Sequence, residues 1–228
     1  VNNKIICPGF RASGVASGIK KKGGFDLGLI FSETETAAAG IFTKNMVKAA
    51  PVLVDIERIK SGKCKAVIAN SGNANCCTGN QGIKDAILMA KLAASSLKIP
   101  ENLVLVASTG VIGEPLSVDK VRDATPELAK KLSENGLNDF AESIMTTDTV
   151  PKLVSRNGVI NGKTFTVTGV AKGAGMIKPD MATMLCFVMT DIAASPETLH
   201  ELISSSADKS FNKITIDGDT STNDTVLI

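Results

Sequence analysis

Polar and apolar positions alternate in part over residues 11–45, where GVASGI, FDLGLIFS and AAAGIFTKN are set off by KKKGG. Gly and Lys mark a reversal there, which predicts an antiparallel meander of strands. Two compact apolar runs follow, CKAVIANSG at 64–72 and LVLVAST at 103–109. Both end in small hydroxyl residues or Gly, as buried strands that deliver a loop do. Between them the spacing becomes helical in GIKDAILMAKLAASSLKIP. Ile83, Ile87, Ala90, Ala94 and Leu97 recur at three- and four-residue steps, and Pro100 stops the run.

A second helical stretch spans Ser117 to Leu132, with a break expected at Thr125-Pro126-Glu127, where Thr can cap and Pro can open a new helix. NDFAESIM is a short third helix leading to TTDT. In RNGVINGKTFTVTGV, Asn161-Gly162 lies between two extended arms and predicts a hairpin. SPETLHELISSSADKSF predicts a helix with Ser195 as cap, Pro196 first and Glu197 at the positive end of the dipole. Leu199, Leu202 and Ile203 supply its core face, and KITIDGD returns to strand and turn. Strands mixed with helices and two hairpin-like reversals argue for a mixed α/β sandwich over a doubly wound parallel sheet.

Composition narrows the classes. The chain has 228 residues, 43% apolar and 21% charged, enough for a sizeable core and too apolar for disorder. One large domain is preferred. Net charge is +2, and the only dense basic cluster is Lys20-Lys21-Lys22, which gives no footprint for nucleic acid. No apolar run approaches the ~20 residues of a membrane span, and VNNKIICPGF lacks the pattern of a signal peptide, so a cytosolic location is expected. The chain starts without Met and stops at TNDTVLI just as an apolar run begins, as part of a longer product would.

Several candidate sites give way to plainer readings. GVINGKT resembles a phosphate-cradling loop, but it is one residue short between its glycines and is followed by a strand instead of a helix. DGDTSTND has its Gly misplaced for a calcium loop and lacks a closing Glu, so it reads as a turn. The cysteines, Cys7, Cys64, Cys76, Cys77 and Cys186, are odd in number and form no CxxC pair. They read as free thiols, and adjacent Cys76-Cys77 as packing. His200, the single histidine, sits on a predicted helix with no turn beside it to aim a substrate.

A hydroxyl nucleophile can dispense with histidine when the chain is cut just before it. The freed α-amine, with a pKa of about 7.7–8, then takes the hydroxyl proton. Thr183 fits that role: Gly173, Gly175, Pro179 and Ala182 allow an exposed turn, and TMLCFVM anchors Thr183 at the head of a buried strand. An ordinary strand residue after a Gly-rich turn is the alternative.

The stretch KGAGMIKPDMATML resembles the self-cleavage motif of the bifunctional ornithine acetyltransferases, the glutamate N-acetyltransferases of arginine biosynthesis. GVASGIKKKGGFDLGLI, AAAGIFTKN, NSGNANCCTG, ASTGVIGEPL, MTTDT and SFNKITIDGDTSTNDT are similar to that family's segments in its order, over essentially the whole chain.

The resemblance implies a layered α-β-β-α sandwich like that of N-terminal-nucleophile enzymes. It implies cleavage at Ala182-Thr183, dividing 1–182 as a first (alpha) segment from 183–228, the beginning of a second (beta) segment. Thr183 would take acetyl from N-acetylornithine and pass it to glutamate, and acetyl-CoA serves some members as donor. Thr109 and Gly110 match the oxyanion hole, Lys172 a substrate-binding lysine, and MTTDT a substrate-contacting threonine, Thr146 favoured over Thr147; Asp148 reads, from its own turn chemistry, as a turn cap. No metal or organic cofactor is implied, and the assembly would pair two alpha with two beta segments. The alternatives are an N-terminal-nucleophile amidohydrolase or aminopeptidase, and a non-catalytic domain binding phosphate or nucleotide.

Overall fold

A computed structural model describes residues 5–176 and 184–228. Two sheets lie face to face. The first has strands β1 (Phe10–Val15), β2 (Leu27–Ala37), β4 (Lys63–Asn73) and β5 (Val104–Val111) in the order β1-β2-β4-β5. The second has the order β3-β9-β8-β7-β6, formed by β3 (Gly40–Phe42), β6 (Lys152–Ile160), β7 (Lys163–Lys172), β8 (Leu185–Thr190) and β9 (Thr225–Leu227). Within each sheet one pair is parallel, β4 with β5 and β8 with β9, and the other pairs are antiparallel.

The parallel pair β4–β5 is made possible by α2 (Gly79–Leu97), which returns the chain across the sheet. Helix α2 packs with α1 (Ala50–Arg58) and α3 (Val118–Lys130) on the outer face of the first sheet. Leu27, Leu29, Ile68, Val104 and Val106 face Ala86, Met89, Ala90 and Ala93 there. The small alanines let the helix approach closely, and the buried edge of α2 is rotated from the expected one, leaving Ile87 40% exposed. The inner faces meet through Val67, Ala69, Leu105 and Ala107 on one side and Val170, Leu185, Phe187 and Met189 on the other. Helix α4 (Leu137–Ser143) packs into this layer, and Phe140 meets Phe187 edge-on at 5.3 Å between ring centroids. Such a pair adds about 0.5–1.5 kcal/mol beyond its buried area. On the outer face of the second sheet, Leu199 and Ile203 of α5 (Pro196–Lys209) cover Ala39 and Ile41. The layers are therefore helix, sheet, sheet, helix.

Four local expectations differ from the structure. Strand β3 leaves the meander and pairs with β9 in the second sheet, because the chain crosses between the sheets at Ala38–Ala39. Helix α3 continues through Pro126, since Thr125 donates its hydroxyl to Val121 O at 2.6 Å instead of capping a new helix. KITIDGD forms a 3₁₀ turn and irregular chain, and the strand comes later, at β9. Leu202 is 55% exposed, so Leu199, Ile203 and Ala207 carry the core face of α5. The hairpin does turn at Asn161-Gly162, with φ of 51° and 76°, and Ser195 caps α5 by accepting from Thr198 N–H.

Candidate functional site

Lys172 ends β7 and is only 5% exposed, which is unusual for a lysine. Its Nζ donates to Thr146 Oγ1 at 2.8 Å and to Thr109 Oγ1 at 3.1 Å. Three remote segments meet at this point: the end of β5, the turn after α4 and the end of β7. An ammonium has three donors and no acceptor, so both hydroxyls accept from it and each retains a hydrogen to donate elsewhere. Among the described residues, two of the three ammonium hydrogens are used. Burial lowers the Lys172 pKa, Asp148 and Asp224 oppose that shift, and Lys152 and Lys20 reinforce it.

Asp148 does more than cap a turn. Its carboxylate accepts from Gly173 N–H at 2.8 Å and from Thr146 N–H at 3.3 Å, and it pairs with Lys152. It thereby ties the threonine turn to the residue after Lys172. Burial alone would raise its pKa, but Lys152, the two amides and Lys172 outweigh burial and hold the carboxylate below its ordinary value.

Gly110 follows Thr109 at φ +138°, and a Cβ there would stand 2.3 Å from the Gly72 carbonyl carbon. Only glycine fits this close approach of β5 to β4. The parallel register is irregular at the same place, with Asn73 opposite both Thr109 and Val111. Ser108 donates to Asn70 at 2.6 Å, which stiffens the strand behind Thr109.

Two further groups near Lys172 have no site role assigned from the sequence. Lys20 of the basic cluster donates to Phe25 O at 2.6 Å. Burial lowers its pKa, against Asp26, Asp148 and Glu142. Asp224 is fully buried, and its Oδ1 accepts from Met184 N–H at 3.0 Å. Burial pushes its pKa up to about 7, while the Met184 amide, the Ser221 hydroxyl and Lys172 pull the other way. DGDTSTND reads as a turn because nothing in its spacing reveals that Asp224 faces inward.

The structure thus brings Thr109, Thr146 and Lys172 together, with Gly110 next in the chain, and the lysine contact falls on Thr146 in preference to Thr147. Ala182 and Thr183 lie outside the described residues. His200 is exposed on α5, beside Gly62 and Glu197. Among the described residues, no group of three or more His, Cys, Asp or Glu side chains could hold a metal, and no helix is long and apolar enough to cross a membrane.

Residues 11–228 match the family model described as the ArgJ family. The chain belongs to the ArgJ family. It is 52% identical over 220 residues to the arginine biosynthesis bifunctional protein ArgJ of Geobacter sulfurreducens, a match covering 96% of this chain and 56% of that relative. The ArgJ of Caldanaerobacter subterraneus subsp. tengcongensis is 50% identical over 229 residues, covering 100% of this chain and 57% of the relative. The chain spans about half the length of the curated relatives it matches.

Among solved structures, ArgJ from Bacillus halodurans superposes with a TM-score of 0.72 at 43% identity, covering 78% of this chain and 92% of that one. An ornithine acetyltransferase from Mycobacterium tuberculosis, complexed with ornithine, gives 0.68 at 37% identity, covering 78% and 94%. An aminopeptidase from Ochrobactrum anthropi, described as a variant of the Ntn hydrolase fold, gives 0.59 at 14% identity over 97% of this chain and 71% of its own. That last likeness concerns the fold alone, and it agrees with the four-layer architecture expected for an ArgJ chain.

Proposed function

We propose that this chain is the nucleophile-bearing part of a self-processing acetyltransferase that moves acetyl from N-acetylornithine to glutamate. The observation that carries the reading is the buried Lys172 ammonium held between the hydroxyls of Thr109 and Thr146 in an ArgJ chain. A buried cation with a donor to spare suits a substrate carboxylate, and a hydroxyl that accepts from lysine while keeping its own hydrogen suits an oxyanion.

In this reading the chain is cut between Ala182 and Thr183, and Thr183 Oγ attacks the acetyl carbonyl carbon of N-acetylornithine. The hydroxyl proton passes to the α-amine freed by the cut, whose pKa of about 7.7–8 suits it as a base near neutrality. Negative charge collects on the acetyl oxygen, where Thr109 O–H and Gly110 N–H donate. The C–N bond then breaks, ornithine takes the proton as it leaves, and the acetyl remains as an ester on Thr183. Glutamate's amine attacks that ester, giving N-acetylglutamate and restoring the hydroxyl. Lys172 and Thr146 hold the amino-acid portion in register. Acetyl-CoA as a second donor, and an assembly of two alpha and two beta segments, belong to the same proposal.

Intact-mass measurement of the complete protein carrying this chain tests the reading. Wild type should give a fragment beginning at Thr183 that gains one acetyl on incubation with N-acetylornithine, and Thr183→Ala should remain in one piece. A wild type that stays whole and unacetylated would refute it. Free acetate whose yield ignores added glutamate would instead assign a hydrolase.

A further inference from the structure

Asp224 stands immediately before β9 and is 0% exposed. Its main chain is fixed on both sides: its carbonyl accepts from Thr43 N–H at 2.9 Å, and the next amide, Thr225 N–H, donates to Met184 O at 3.1 Å. On the neighbouring residue, Asn223 Nδ2 donates to Ala74 O at 2.7 Å and Ser108 O at 2.8 Å, which locks this turn against the strand that carries Thr109. The carboxyl is divided in its use. Oδ1 accepts from Met184 N–H at 3.0 Å, and the Ser221 hydroxyl stands near enough to lower the carboxyl's pKa, whereas Oδ2 is enclosed and makes no hydrogen bond among the described residues. Buried polar atoms are rarely left so, and those that are call for a particular explanation.

We infer that Asp224 is a positioning residue of the acyl-transfer site, clamping the Met184 peptide group through Oδ1 and offering Oδ2 to an amine or hydroxyl of the reacting groups. The inference rests on the proposed role of Thr183. The Met184 nitrogen is bonded to the carbonyl of residue 183, so a clamp on that amide acts on the group from which the nucleophile hangs. An α-amine that must point its lone pair at a hydroxyl proton needs an acceptor for its own hydrogens, and an ionised Oδ2 supplies one. Lys172, at the end of β7, is the charged group that faces Asp224. Behind it, Asp148, Lys152 and Lys20 set the charge that Lys172 presents.

Burial that raises Asp224 to about 7 makes the clamp sensitive to protonation in the range where the enzyme would work. In its acid form Oδ2 donates instead of accepting, so turnover should fall as pH drops through that value.

Asp224→Asn keeps an acceptor for Met184 and nearly the same volume, so it separates the two oxygens' roles. In the complete protein we expect cleaved Asp224→Asn to lose about 10²-fold in kcat, with KM close to wild type. Its acidic pH–rate limb should lose one of two protons, the slope of log kcat falling from about 2 to about 1. Should the variant fail to fold or to cleave, wild type labelled with ¹³C at aspartate carboxyls serves instead: the Asp224 signal should titrate near neutrality and move when Thr183 is acetylated. An uncleaved, unacetylated wild type would remove the underlying function and this inference together. If wild type is cleaved and acetylated, an Asp224→Asn enzyme with wild-type kcat and pH profile, or a carboxyl signal indifferent to acetylation, overturns the Asp224 assignment alone.

Discussion

Lys172 shows how much a single residue's meaning depends on partners remote in sequence. Its two hydroxyl partners lie 63 and 26 residues away, so burial and pairing could not be read from the Gly-rich stretch that follows it. The residue type and its family motif pointed to it; the geometry that buries it between two hydroxyls did not show in the spacing. Hydrogen bonds to charged groups are worth about 1.5–3 kcal/mol, roughly a 10- to 100-fold change in binding. Lys172→Met, which keeps the stem and removes the ammonium, should therefore raise KM for N-acetylornithine by about that factor. Lys172→Arg should not restore it, because a planar fork cannot replace a compact ammonium between two hydroxyls. Thr109→Val makes a sharper test. It should lower kcat by about 10²–10³-fold while Thr109→Ser stays near wild type, and steady-state kinetics with both substrates reads the difference.

At the scale of the element, the pattern of strands and helices was legible wherever local chemistry decided it. Asn161-Gly162 turns the β6–β7 hairpin because those two residues tolerate positive φ, and Ser195-Pro196 opens α5 for equally local reasons. It was illegible where packing decided: β3 joins the second sheet, and α3 runs through Pro126 because Val121 and Leu128 bury one continuous face on the first sheet. The strand end at Gly110 is a mixed case. The motif named the glycine, while the reason for it, a Gly72 backbone 2.3 Å from where a Cβ would stand, exists only in the assembled β4–β5 pair. Gly110→Ala should add strain at φ +138° and steric overlap together, about 2–4 kcal/mol of lost stability by urea unfolding. The same variant should lose transfer activity even where it remains folded, since β5 must shift away from β4 to make room.

At the scale of the molecule, the site draws on both sheets: Thr109 comes from the first, Lys172 from the second, and Asp148 and Asp224 both face the lysine. Those two carboxyls should stamp opposite signs on the pH dependence of folding. Asp224 is raised from 3.8 to about 7, so its contribution is fully present below about 4 and is lost as pH rises through about 7. Asp148 is lowered from 3.8, so its contribution is present above that value and is lost as pH falls below it. Unfolding free energies of wild type, Asp224→Asn and Asp148→Asn, measured by urea titration from acid to mildly alkaline pH, separate the two. Relative to wild type, Asp224→Asn should become steadily more stable as pH rises from about 4 to about 8, because Asn carries no charge to desolvate. Asp148→Asn should show a constant deficit at neutral pH that shrinks on acidification, as the wild-type carboxylate is protonated and releases Lys152 and the Gly173 amide. Parallel curves for the two variants would mean that Asp148 and Asp224 do not respond oppositely to pH, and that burial at Asp224 and pairing at Asp148 do not set their protonation.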